Sequence, residues 1–182
     1  MSCQQNLAPL IAAEANRQGV PQDIALAIAR QEGSMCHWWS DGRVKVGSSG
    51  EVGVMQVKPT TAPGVNLYDV NENIRAGVGY LVLMFQMFGD WQLAAAAYNW
   101  GPGKMRDYLA GRRGLPAQVA SYATGATAGQ PTAGYSDVYP ADVSNGTDLP
   151  NVSTDLLASV SNNPTPWAVG GLAALALLVA AA

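Results

Sequence analysis

The sequence predicts a mainly α-helical domain followed by a linker and an apolar tail, and three observations carry that prediction. Apolar residues recur three or four positions apart, most extensively in NENIRAGVGYLVLMFQMF, where Ile74, Val78, Leu81, Phe85 and Phe88 form one stripe of a long buried helix. Between residues 42 and 58 that spacing gives way to a glycine-rich run, DGRVKVGSSGEVGVMQVKP, with short β-branched pieces. Loops and a small hairpin are expected there. Beyond about residue 124 large apolar residues become sparse and Thr, Ser, Gly, Pro and Asp take over.

Each element has its own local reason. Leu10, Ile11 and Ala15 mark a first helix that ends at Gly19. VPQDIALAIARQEG supplies a second, in which Pro21 suits the first turn, Asp23 complements the positive end of the dipole and Gly33 is the stop. After the long third helix, Asp90 can cap a fourth through WQLAAAAYNW, halted by Gly101, Pro102 and Gly103. GKMRDYLAG and PAQVASYA read as two more short helices.

With 182 residues the chain has room for one domain with a real core and a modest appendage. The domain is assigned to residues 1–125 and the linker to 126–166, whose composition cannot bury enough surface to fold alone. Residues 167–182, WAVGGLAALALLVAAA, carry no charge; as a helix they would reach about 24 Å, short of a hydrocarbon core of about 30 Å. The position at the chain end favours insertion into a membrane, with burial against a partner protein as the alternative. A net charge of −3 gives no electrostatic footprint for nucleic acid. The N-terminus lacks a basic stretch followed by a continuous apolar one, so no signal peptide is expected. Cys3 and Cys36 lack metal-ligand spacing and read as small buried residues, with a bridge between them as the alternative. His37 is the single histidine, so it cannot nucleate a metal site, and no cofactor is expected.

The chemistry centres on one acid. Glu32 follows Ile24 and Ile28 by eight and four positions, which places its carboxyl on the apolar stripe of the second helix. Desolvation there favours the protonated form, which suits a group that must donate a proton near neutral pH. The competing reading is an exposed carboxylate at a frayed helix end, paired to Arg30 or Lys45.

Four blocks in order, ARQEG, SSGEVGVMQVKPTTA, NIRAGVGYLVLMF and AAAAYNWGPGKM, resemble the catalytic domain of the lytic transglycosylases of the lysozyme superfamily. The resemblance covers about residues 5 to 125, with LPAQVASY similar to the family's closing helix. It implies a lysozyme-like helical fold with a small β or loop region. It also implies that Glu32 is the sole catalytic acid/base and that the phenol of Tyr98 orients it. Gly53, Met55 and Gln56 would line the sugar cleft, Gln56 as a hydrogen-bond partner for an acetamido or hydroxyl group, together with Ser49 and Asn99. Plainer roles compete: Met55 as core filler, Tyr98 as a half-buried helix residue, Asn99 as part of a cap with Gly101.

The departures from the family pattern are specific. Gly33 stands where the family most often has Ser, and Ser34 follows. Gly50 and Glu51 replace Gly-Ala or Ser-Ala, adding a carboxylate near the cleft that could meet the substrate's peptide stem or be an ordinary surface charge. Trp100 replaces a small residue and joins Trp38 and Trp39 as sugar platforms or core filler. The implied reaction cleaves the β-1,4 bond between N-acetylmuramic acid and N-acetylglucosamine of peptidoglycan and closes a 1,6-anhydro ring. A hydrolytic muramidase, with Asp41, Glu51 or Asp69 positioning water, is one alternative, and a non-catalytic wall-binding protein is another. A wall enzyme without an export signal fits a phage virion protein acting in the bacterial envelope during genome delivery.

Overall fold

The computed structural model describes residues 6–129. Six helices follow in order: α1 (Ala8–Gln18), α2 (Gln22–Gly33), α3 (Val70–Phe88), α4 (Trp91–Trp100), α5 (Pro102–Leu109) and α6 (Ala117–Ala126). Helix α3 is the spine, packed on α1 and α4, while α6 bridges α2 and α4, and α5 leans on α4. Asp69 caps α3 by accepting from the backbone N–H of Asn71 and Glu72, and Asp90 caps α4 through Leu93 N–H. Ile74, Val78, Leu81 and Phe88 enter the core as their spacing predicts. Phe85 is only half-buried and stacks on Trp91 with ring centroids 4.0 Å apart. On α1, Ile11 and Ala15 are buried, but Leu10 turns outward at 45% exposure.

Three sequence expectations are corrected by local geometry. Helix α2 includes Gly33, and Ser34 in a left-handed conformation (φ 54°) closes it. A side chain at position 33 is impossible in this packing, because a Cβ would stand 2.4 Å from Val54 O. Pro102 does not only stop α4; it opens α5, where its missing N–H costs nothing. The hairpin expected between 42 and 58 is reduced to isolated antiparallel bridges, Trp38 with Val44 and Val52 with both Val46 and Val57.

That loop is instead held by two buried polar side chains. Asn73 of α3 accepts from Met55 N–H (3.0 Å) and donates to Val52 O (2.8 Å) and Leu67 O (3.1 Å). His37 accepts from Val54 N–H at Nδ1 (3.2 Å), so its proton sits on Nε2 and faces Tyr68 O at 3.1 Å. Gly53 at φ 74° lies against both side chains, and a Cβ there would stand 2.5 Å from the imidazole.

The described part of the chain runs slightly past the boundary drawn from composition, since α6 ends at Ala126 and Thr127 is buried with Oγ1 on Ala123 O. Cys36 is half-buried and disulfide-bonded, while Cys3 lies outside the described residues. The remainder of the linker and the apolar segment 167–182 also lie outside them. Among the described residues no helix is long and apolar enough to cross a membrane.

Candidate active site

Helix α2 carries Glu32 in its last turn, where burial would leave a carboxylate with few water contacts. The site built around it draws on four other parts of the fold. Tyr122 of α6 donates from its hydroxyl to Glu32 Oε1 at 2.7 Å, and the side chain of Asn99 on α4 makes a second hydrogen bond to the carboxyl. Burial pushes the Glu32 carboxyl above its ordinary value and the nearby Glu51 charge adds to this, while the two hydrogen bonds oppose but do not cancel it. Neither Arg30 nor Lys45 pairs with Glu32. Lys45 instead donates to Gly33 O (2.7 Å), neutralising the negative end of α2, and its ammonium lies 4.8 Å from the Trp39 ring centre.

The phenol on the acid is therefore Tyr122, not Tyr98. Tyr98 is buried and donates to Met55 O at 2.8 Å, with its ring tilted against Tyr80 at 5.2 Å. It thus joins α4 to the GVMQ segment beneath the acid. Burial pushes the Tyr98 and Tyr122 hydroxyls far above their ordinary value and that of Tyr80 up to about 12, so all three stay neutral, and Tyr98 and Tyr122 act as donors. Gln31 strengthens the α2–α6 seam by donating to Tyr122 O at 3.2 Å.

A cleft of about 350 Å³ opens at this acid, lined among others by Glu32, Glu51, Gln56, Lys58, Tyr98, Asn99, Trp100 and Lys104. Not every residue expected to line it does so. Met55 is fully buried, its side chain packed where Gly77 leaves room on α3. Gly53 lies under the loop against His37 and Asn73. Ser49 is exposed and contributes its N–H to Glu51 Oε2 at 3.0 Å. Gln56 adopts a left-handed conformation (φ 46°) and donates to Gly53 O at 2.7 Å, which fixes its amide at the cleft wall. Trp100 faces the cleft with Arg113 5.9 Å from its ring centre. Trp38 packs edge-on against His37, and Trp39 is exposed, so neither belongs to this cleft.

Of the three acids considered for activating water, two are engaged elsewhere. Asp41 is exposed and paired with Arg43 at 2.7 Å, and Asp69 caps α3. Glu51 alone shares the cleft with Glu32. Among the described residues no group of three or more His, Cys, Asp and Glu is placed to hold a metal ion. A half-buried acid with raised proton affinity, held by a phenol and an amide at the wall of a cleft, has the features of a general acid/base.

The comparisons with known proteins name the family. The chain matches the transglycosylase SLT domain over residues 9–120 and belongs to that family. It is 38% identical over 115 residues to the soluble lytic murein transglycosylase of Escherichia coli (strain K12), a match covering 56% of this chain and 17% of that protein. The Salmonella typhimurium protein of the same name is 37% identical over 116 residues, with the same coverage of 56% and 17%. The chain thus spans under a fifth of the length of these relatives. Among solved structures, an inactive mutant of lytic transglycosylase Slt from Pseudomonas aeruginosa superposes with a TM-score of 0.54 at 28% identity, covering 65% of this chain and 22% of that one. The 70 kDa soluble lytic transglycosylase of Escherichia coli gives 0.53 at 30% identity, covering 65% and 22%. A complex of the 70-kDa soluble lytic transglycosylase with bulgecin A also gives 0.53 at 30%, covering 66% and 22%.

Proposed function

We propose that this chain is a peptidoglycan lytic transglycosylase, cleaving the β-1,4 bond from N-acetylmuramic acid to N-acetylglucosamine with formation of 1,6-anhydro-muramic acid. The observation that carries the reading is the Glu32 site: a carboxyl whose proton affinity is raised by burial, held by Tyr122 and Asn99 at the wall of a cleft of about 350 Å³. Glu32 gives its proton to the glycosidic oxygen, which leaves as the C4 hydroxyl of N-acetylglucosamine. The C6 hydroxyl of the muramic acid attacks its own anomeric carbon and returns a proton to Glu32, so no water is consumed. Because that nucleophile is tethered, its effective molarity is on the order of 10⁵ M or more, and a water-activating base is unnecessary. Muropeptide mass after digestion in ¹⁸O-water tests the reading: products one water lighter and unlabelled support it. Label at the new muramic terminus would establish hydrolysis, for which Glu51 is the one cleft-lining candidate base.

The setting belongs to the same proposal. Peptidoglycan lies outside the cytoplasm, and a domain joined by a polar linker to an apolar segment suits an enzyme tethered in a phage virion, with that segment against lipid or a virion protein. Local opening of the wall during genome delivery is the role this arrangement serves. Antibody detection of the chain in purified particles, against its absence from them, decides the matter.

A further inference from the structure

The established family pattern relies on a single acid, yet this cleft contains a second, and the surrounding structure keeps it fixed. Glu51 accepts from Ser49 N–H at Oε2 (3.0 Å) and pairs through Oε1 with Lys58 at 3.3 Å, while its side chain is only 25% exposed. Gly47 leaves the space in which its carboxylate sits: a Cβ at position 47 would stand 2.5 Å from Glu51 Oε2 and 2.8 Å from Gln56 Oε1. The backbone of Gly47 is in turn tied to Glu51, its N–H donating to Glu51 O at 2.7 Å. Two carboxyls in one cleft therefore have opposite surroundings, Glu32 facing a phenol and an amide, Glu51 facing an ammonium and a backbone donor.

We propose that Glu51 is an electrostatic partner of Glu32, a fixed anion that stabilises the positive charge developing on the reacting muramic acid ring without bonding to it or activating water. The inference rests on the transglycosylase reading above. Glycosidic cleavage passes through an oxocarbenium-like state, and a preorganised negative charge in a partly dehydrated cleft favours that state over the neutral ground state. The surroundings favour its ionised form: burial raises its carboxyl, but its own backbone N–H, the Lys58 ammonium and the Ser49 N–H together bring it below its ordinary value. The same charge strengthens the hold of Glu32 on its proton. The groups facing Glu32 are Tyr122 from α6, Asn99 and Tyr98 from α4, and Glu51 from the loop; those facing Glu51 are Lys58, Ser49 N–H and Glu32. The side chain of Glu51 makes no transfer of its own, so the proton balance of the Glu32 mechanism is unchanged.

The test uses the full chain and soluble muropeptide oligomers, with kcat, KM, pH profile and product mass read for each variant. Glu51→Gln keeps shape and removes the charge; kcat should fall about tenfold or more, the basic limb of kcat/KM should move to lower pH, and the products should remain anhydro. Gly47→Ala keeps the charge but pushes the carboxylate aside, and should lower kcat with little change in melting temperature, because the atoms displaced are ends of flexible side chains. A rise in KM with kcat and the basic limb unchanged would overturn the proposal and make Glu51 a substrate contact. Loss of anhydro product in the parent, or full activity in Glu32→Gln, would instead overturn the reading on which it rests.

Discussion

At the scale of single residues, Tyr98 and Tyr122 are both phenols beside the same acid with different duties, and removing one oxygen from each separates them. Tyr122→Phe deletes the donor to Glu32 Oε1. Hydrogen bonds to charged groups are worth about 1.5–3 kcal/mol, so turnover should fall roughly tenfold or more. That bond also lowers the proton affinity of Glu32, and its loss should move the basic limb to higher pH. Tyr98→Phe leaves Met55 O without its donor in the core and should cost about 1–3 kcal/mol of stability, with the basic limb in place. Chemical denaturation and pH–rate profiles on both variants distinguish the two. Glu32 itself carries a stability cost. Its folded-state value lies above the ordinary 4.5, so the folded chain binds that proton more tightly than the unfolded one. Stability from this group is fully present below 4.5 and is lost as pH rises through the folded value. Glu32→Gln cannot ionise; it should be inactive yet melt at a higher temperature than the parent at pH 8, and the gap should close on acidification. A variant that melts lower at pH 8 would mean that the carboxylate is a stabilising group and the burial argument is wrong.

At the scale of elements, the loop between α2 and α3 has almost no ladder of its own and depends on Asn73 and His37. Asn73→Ala removes three buried hydrogen bonds at once and should cost on the order of 2–5 kcal/mol, read as a shift in denaturation midpoint. His37 adds a pH dependence. Burial holds it below its ordinary 6.5, so its contribution is complete above 6.5 and is lost as pH falls through the folded value. It is the single histidine of the chain. In a Glu32→Gln background, which removes the opposite contribution of that acid, the melting temperature should drop between pH 6.5 and 5, and His37→Gln should flatten the drop. These two staples mark where sequence reading stops. The stripe Ile74, Val78, Leu81 announced α3 because one face of a helix meets a core. Asn73, one position before it, is a polar residue that periodicity assigns to the surface, and only the approach of the loop buries it. Glu32 was legible from its place on an apolar stripe. Its partner Tyr122 was not, because the two are 90 positions apart and are joined by the packing of α2 against α6. Met55 shows a related limit: the resemblance implies that the GVMQ segment lies at the cleft, but this side chain turns inward, as its competing reading as core filler has it, because α3 offers Gly77 as a gap.

At the scale of the whole molecule, every group assembled around Glu32 lies upstream of Thr127, and the last of them enters on the last described helix. Helix α6 thus closes the core and delivers Tyr122 to the acid, so the position of a truncation decides which of these survives. A chain ending at residue 115 lacks α6, exposes the apolar faces of α2 and α4, and leaves Glu32 without its phenol. It should be both unstable and inactive. A chain ending at residue 129 keeps Ala126 and Thr127 buried and should match the full chain in melting temperature and in turnover of soluble muropeptides. The composition of residues 130–166 offers too few large apolar side chains to add to that core. What the longer chain should gain is location. Residues 167–182 are uncharged and apolar throughout, a composition that favours burial in lipid over exposure to water. Flotation with liposomes should therefore carry the full chain to the lipid fraction and leave the 1–129 chain behind, with equal activity per molecule on soluble substrate. If the full chain stays in the aqueous phase but sediments with a partner protein, the apolar segment is a protein-docking element, and the tether acts through that partner instead of through lipid.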